Sequence, residues 1–244
     1  MFKKNYSLLM LPLIAVSAIF AGCSDDDEAV VSSPAQASVR VIHASYDAPA
    51  VDVRVDGGVA VSSLDYGVSS GYAMLNSGTR TIQVSPAGAT TPVVIDVDLP
   101  LAGNTEYTVF AFGGLSVIEA SAVQDNRAAV ANKAKVRFVH GSPDAPAVDI
   151  KLNSGSGPAV FSNRTFKTVS DYVEVDASSY TFVVTGAGST SEVVKFDPVA
   201  VQNGSVYTVV ALGTIDAGDA YPFQVRVFVD NGSGDQYVDL TPAS

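Results

Sequence analysis

The 244-residue sequence has no tryptophan, one cysteine and two histidines, and only 14 lysines and arginines against 25 aspartates and glutamates. A lone cysteine, Cys23, excludes an internal disulfide. Two histidines without a second cysteine fall short of a transition-metal ligand set, so no metal or other cofactor is expected. The shortage of basic charge repels phosphate backbones and argues against nucleic acid as a partner. Helical periodicity is also missing: beyond the N-terminal region no stretch carries a 3.6-residue apolar stripe. The long hydrophobic run, from Leu8 to Phe20, has 13 residues and is broken by Pro12. A membrane-crossing helix needs roughly 20.

What is there begins with a targeting signal. Lys3 and Lys4 precede the apolar run, as in a secretory signal peptide over residues 1–22. Phe20-Ala21-Gly22-Cys23 resembles the lipobox of bacterial lipoproteins, which implies acylation of Cys23 and a lipid anchor in the cell envelope. By the same resemblance Ser24 favours the outer membrane. Residues 23–36 hold Asp25-Asp26-Asp27-Glu28 and Ser32-Ser33-Pro34, the composition of a solvated tether. Without Lys3 and Lys4 the basic residues number 12 against 25 acidic ones, a formal charge of −13. Docking on anionic lipid is therefore disfavoured, and membrane attachment would rest on the acyl chains.

The rest of the chain is written twice. The ten residues from His43 to Asp52 (HASYDAPAVD) return from His140 to Asp149 (HGSPDAPAVD), identical at eight positions. Val39-Arg40-Val41 matches Val136-Arg137-Phe138, Ser70-Gly71-Tyr72 matches Ser170-Asp171-Tyr172, Tyr107-Thr108-Val109 matches Tyr207-Thr208-Val209, and Asp125-Asn126 matches Asp230-Asn231. A period near 100 residues is a duplicated domain, not a solenoid unit. The boundaries expected are 37–128 and 133–244.

Within each copy Val51, Val53 and Val55 alternate with charged residues, as do Val148, Ile150 and Leu152 with Asp149, Lys151 and Asn153. That period of two marks half-buried strands. Further β-rich runs lie at 72–75, 79–85, 92–99, 106–112 and 116–123, separated by Gly, Ser, Asn and Pro. About seven short strands per copy predict an all-β chain of two tandem immunoglobulin-like, Greek-key β-sandwiches. Tyr107 and Tyr207, each opening a late strand, resemble the tyrosine corner of such sandwiches. Strand parity and a hairpin centred on Tyr46 predict Arg40 opposite Asp52 and Arg137 opposite Asp149, as exposed cross-strand pairs.

The repeated stretch is the candidate ligand site: His43, Ser45, Asp47 and Asp52, doubled by His140, Ser142, Asp144 and Asp149. Its alternative is a hydrogen-bonded loop, because Asp before Ala-Pro accepts backbone N–H groups and each histidine can donate nearby. A Ser-His-Asp hydrolase is disfavoured, since no nucleophile elbow surrounds either serine. Asp230-Asn231-Gly232-Ser233-Gly234-Asp235 carries the alternating oxygens of a calcium loop, but lacks the downstream glutamate and is read as a turn.

The phrase Val-Arg-x-x-His-x-Ser-x-Asp-Ala-Pro-Ala-Val-Asp, with the Ser-x-Tyr and Tyr-Thr-Val strands, resembles the bacterial and archaeal domain of unknown function 4397. The likeness spans about 38–126 and 135–231; Tyr46 departs from the proline of the family pattern. It implies secreted or lipid-anchored β-sandwich modules with no activity to transfer. The expectation is a non-enzymatic envelope protein for binding or assembly, with a glycan or envelope protein as partner. The alternatives are a hydrolase using His43 or His140, and a structural spacer.

Overall fold

The structure, a computed structural model, describes residues 34–216 and 220–243. The expected signal peptide, Cys23, Ser24 and the acidic run Asp25 to Glu28 lie outside the described residues.

The first copy has eight strands: β1 (Gln36–Ala44), β2 (Val51–Val55), β3 (Gly58–Leu64), β4 (Ala73–Asn76), β5 (Gly78–Pro86), β6 (Ile95–Leu101), β7 (Glu106–Phe112) and β8 (Glu119–Asp125). They form two sheets, ordered β4-β1-β7-β8 and β3-β2-β5-β6. β1 and β7 run parallel, Val39 beside Tyr107 through Ala44 beside Phe112, and the other pairings are antiparallel. Parity then sorts the side chains. Val39, Val41, Tyr107, Val109 and Ala111 turn inward onto Val51, Val53, Ile82, Val84 and Ile95, which close the sandwich core.

The second copy repeats the plan with β9 (Lys133–His140), β10 (Val148–Leu152), β11 (Ala159–Arg164), β12 (Val173–Asp176), β13 (Ser179–Tyr180), β14 (Phe182–Gly186), β15 (Glu192–Lys195), β16 (Val199–Ala200), β17 (Val206–Leu212), β18 (Gln224–Val229) and β19 (Tyr237–Asp239). Its sheets are β12-β9-β17-β18-β19 and β11-β10-β14-β15, with a small β13-β16 pair. The chain is thus two immunoglobulin-like β-sandwiches in series, and the helical content among the described residues is one 3-10 turn, Leu115–Val117. The tyrosines that open β7 and β17 hold their corners. The Tyr107 hydroxyl accepts the Ala102 N–H at 3.2 Å and the Tyr207 hydroxyl accepts the Gln202 N–H at 3.2 Å.

The hairpin expected between the first two strands does not form. β1 lies between β4 and β7, and β2 belongs to the opposite sheet. Val41 and Val51 meet across the core, not across a ladder, and Arg40 does not face Asp52. The same holds for Arg137 and Asp149, on β9 and β10 of separate sheets. Parity assigns a residue to a face but not a strand to a neighbour, and β7 arrives beside β1 from about 70 residues away.

The outward face of β1 and β7 is not solvated either. Ile42 and Phe110 have no exposed surface, and Ala44 and Phe112 have 1% each. They pack on Val139, Val210, Leu212 and Phe228 of the second copy, forming a third core between the two sandwiches. The sheet β4-β1-β7-β8 therefore lies on the sheet β12-β9-β17-β18-β19, and its central strands β1 and β7 are buried on both faces. Phe110, stacked on Phe112 at 5.4 Å, belongs to this shared layer. Phe110→Ala is expected to lower stability by about 3–5 kcal/mol, the range for a fully buried aromatic, measured by urea unfolding. A loss below about 1 kcal/mol would mean that this face is solvated.

Candidate functional site

In the repeated stretch, each polar side chain is tied to a different piece of backbone. His43, one residue before the end of β1, has no exposed surface. Its Nδ1 accepts the Ser45 N–H at 3.3 Å, which places the proton on Nε2, donating to the Pro49 carbonyl at 3.1 Å. The ring stands edge-on to Tyr66. His140 repeats the bond from Nε2 to the Pro146 carbonyl at 3.2 Å, while its Nδ1 has no partner among the described residues. Both histidines are buried at the ends of their strands. Burial lowers both pKa values against the weaker pull of the proline carbonyls, so both rings are neutral.

The aspartates anchor neighbouring loops. Asp47 accepts the Leu115 N–H at 2.6 Å, fixing the β7–β8 connection. Asp144 does the same after β17, accepting Ile215 N–H at 3.0 Å and Asp216 N–H at 3.2 Å. Asp52 holds the Ser63 and Gly88 N–H groups, both at 2.9 Å, and Asp149 holds those of Asn163 at 2.8 Å and Gly188 at 2.9 Å. These amide bonds keep the Asp52 and Asp149 carboxyls below the usual carboxylate range. Ser45 is buried and its hydroxyl has no partner among the described residues; Ser142 donates to Asp144 at 3.4 Å. The residues do not converge on a common point, and neither serine hydroxyl touches a histidine. A proton relay needs both contacts.

The expected calcium loop is used otherwise. Asp230 has no exposed surface and pairs with Arg40, while Asp235 accepts the Ser233 hydroxyl. Among the described residues no group of three or more His, Cys, Asp or Glu is placed to hold a metal ion.

Instead of exposed pairs with Asp52 and Asp149, the two arginines make a crossed network between the copies. Arg40 donates from Nε to Thr108 of its own copy at 2.8 Å, then from Nη2 to Thr208 at 3.2 Å and Asp230 at 2.6 Å of the other. Arg137 answers in reverse, from Nε to Thr208 at 2.7 Å and from Nη2 to Thr108 at 2.9 Å, with Nη1 at 2.6 Å from Asp125. Each aspartate also takes a tyrosine of its own copy: Tyr72 donates to Asp125 at 2.7 Å and Tyr172 to Asp230 at 2.6 Å. The threonines complete the set, Thr108 to Asp125 at 2.7 Å and Thr208 to Asp230 at 2.5 Å. Both arginine side chains and both carboxylates are at most 1% exposed. Burial opposes the Arg40 charge, but Asp230, with Tyr72 and Asp125, holds its pKa above the ordinary value. Burial beside these carboxylates drives both tyrosine hydroxyls well up, so they remain donors.

The second copy also has an opening between its sheets. A space of about 40 Å³ between its sheets is lined by apolar side chains and His140. It adjoins a cleft of about 380 Å³ at the sandwich mouth, between Pro146, Val193, Val194, Ile215 and Phe223. A small apolar group fits this chemistry.

Two predictions follow from charge and burial. Removing one member of the crossed network leaves its partner charged in a dry layer, so Arg40→Ala or Asp230→Ala should cost about 3–5 kcal/mol in urea unfolding. Replacing both, as Arg40→Met with Asp230→Leu, should cost clearly less than the sum of the two single losses; strictly additive losses would contradict the pairing. For the histidines, folded pKa values below the unfolded value of about 6.5 mean that the unfolded chain takes up protons first as pH falls. Stability is therefore fully present above that value. Below it, stability is lost by up to about 1.4 kcal/mol per pH unit for each ring. His43→Gln should flatten the fall in Tm between pH 7 and 5; an unchanged slope would show a charged or exposed ring.

A family model described as Domain of unknown function (DUF4397) matches the chain twice, over residues 37–151 and 152–236. The boundary between these matches falls inside β10, whereas strand pairing passes from one copy to the other between β8 and β9. No curated protein matches the chain. With matches covering most of its length and the same sandwich built twice, the chain belongs to the family of domain of unknown function DUF4397, in two tandem copies.

Proposed function

We propose that this protein is a non-catalytic binding or assembly module of the bacterial cell envelope, anchored in the outer membrane through acylated Cys23. The observation that carries this reading is the use of the repeated stretch. In both copies its histidine and aspartate side chains are bound to backbone groups of separate loops, which makes them scaffold. The module then offers partners its grooves and outer surfaces, and a glycan or another envelope protein is the partner class that suits an anchored, acidic, all-β surface.

One observation favours a hydrolase: the open Nδ1 of His140 beside the apolar space. Against it stands Ser142, which donates to Asp144 and not to His140.

Two measurements test the proposal. Cys23→Ser should shift the protein from the membrane to the soluble fraction, and retention in the membrane would contradict lipid anchoring. The full chain, offered a glycan array and cross-linked envelope proteins, should retain a specific partner equally well with His140→Gln. Silence in both panels, or hydrolytic activity lost with that substitution, would overturn the binding reading.

A further inference from the structure

The pseudo-two-fold relation between the copies breaks around Tyr172, and the break leaves a groove. Around Arg40 and Tyr72 the chain covers its own network. The segment after β18 lies across it, with the Ser233 carbonyl accepting the Tyr72 N–H at 3.2 Å and the Gly234 carbonyl accepting Arg40 Nη1 at 3.3 Å. Gly234 has φ +87°, and a Cβ there would stand 2.5 Å from the Tyr72 ring. Only glycine lies this close. Beneath the segment Gly71 is buried, with room for a Cβ only 3.6 Å from that of Asp235.

The counterpart place around Arg137 and Tyr172 is uncovered. Counting from Asp125 as from Asp230, the residues that should cover it are Ala128 and Ala129. They cannot, because the chain must pass on into β9. Lys135 Nζ grips the Asn126 carbonyl at 2.5 Å and its side chain at 2.9 Å, and Arg127 turns back over the Tyr72 ring at 3.8 Å. A groove of about 510 Å³ remains, walled by Gln124, Asn126, Val169, Asp171 and Tyr172, with Arg137 at its base. The Tyr172 N–H, counterpart of the satisfied Tyr72 N–H, has no acceptor among the described residues. Asp171 is exposed where its counterpart Gly71 is buried.

We propose that this groove binds an extended, glycine-containing peptide segment of a partner protein, with a basic residue directly after the glycine. The chain's own segment at the matching groove is the template. A carbonyl in the place of Ser233 would accept the Tyr172 N–H, a glycine in the place of Gly234 would lie on the Tyr172 ring, and the next side chain would meet Asp171. There the template has Asp235, which Asp171 would repel; lysine or arginine reverses the sign. The net charge of −11 draws a basic segment toward the surface. Backbone capture of this kind gives affinity through main-chain bonds and selectivity through the side-chain positions. The inference rests on the binding-module reading and narrows it to one groove and one peptide chemistry.

The probe is a fluorescein-labelled Asn-Gly-Ser-Gly-Lys peptide, titrated against the full chain and followed by anisotropy. Saturable binding is expected, and it should weaken about tenfold or more when valine replaces the second glycine. Asp171→Trp fills the groove from an exposed position whose counterpart, Gly71, faces the covering segment, and should weaken binding to the same degree with unchanged Tm. Asp171→Lys should invert the preference, favouring a peptide that ends in aspartate. No saturable binding at millimolar peptide, or equal binding by Asp171→Trp, would overturn the inference. An envelope protein captured equally by wild type and Asp171→Trp would also overturn it, while leaving the binding-module reading in place.

Discussion

Two guanidinium groups and two carboxylates lie in the layer between the sandwiches, and each copy supplies the counter-ion of the other. Arg40 needs Asp230, and Arg137 needs Asp125. An unpaired charge in such a layer costs several kcal/mol, whereas a satisfied network is tolerated and sets a single register. The crossing makes the interface self-complementary in the manner of a two-fold dimer, but within one chain. The rest follows from it. Ile42, Phe110, Leu212 and Phe228 can face away from their own cores because the partner sheet covers them. Tyr72 and Tyr172 can bury their hydroxyls because the aspartates accept them.

The repeated stretch gains a different meaning in this setting. His43 and His140 end the central strands, Asp47 and Asp144 pull in the loops that follow β7 and β17, and Asp52 and Asp149 knit the opposite sheets. These bonds close one end of each sandwich. A distinctive motif is often read as chemistry; here its side chains fix loop geometry, and the open surfaces lie elsewhere.

Much of the fold was legible from residue patterns, and the reasons differ by element. β7 coincides with the run expected over 106–112, because Tyr107 to Phe112 has strong strand composition and clear ends. β3, Gly58–Leu64, escaped notice because it follows a glycine turn at a point where the copies differ in length. Pairing was the larger miss. The hairpin that would have joined Arg40 to Asp52 assumed that consecutive strands lie side by side, and β1 instead pairs with β7. Yet a signal of the interface was present. The stretch Val-Phe-Ala-Phe at 109–112 does not alternate with polar residues, which is the mark of a strand buried on both faces. Arg40, Asp125, Arg137 and Asp230, matched between the copies, were its missing polar members. The groove at Tyr172 could not be read at all, because it arises from where the linker has to travel.

The central claim is that the crossed network and the shared apolar layer make the two copies one cooperative unit. Native-state amide hydrogen exchange along β7 and β17 tests it most directly. The account predicts that the slowest amides of both strands open with the same free energy and respond equally to low denaturant. If β17 exchanged through an opening that left β7 protected, or the reverse, the copies would be independent domains and the account would be wrong.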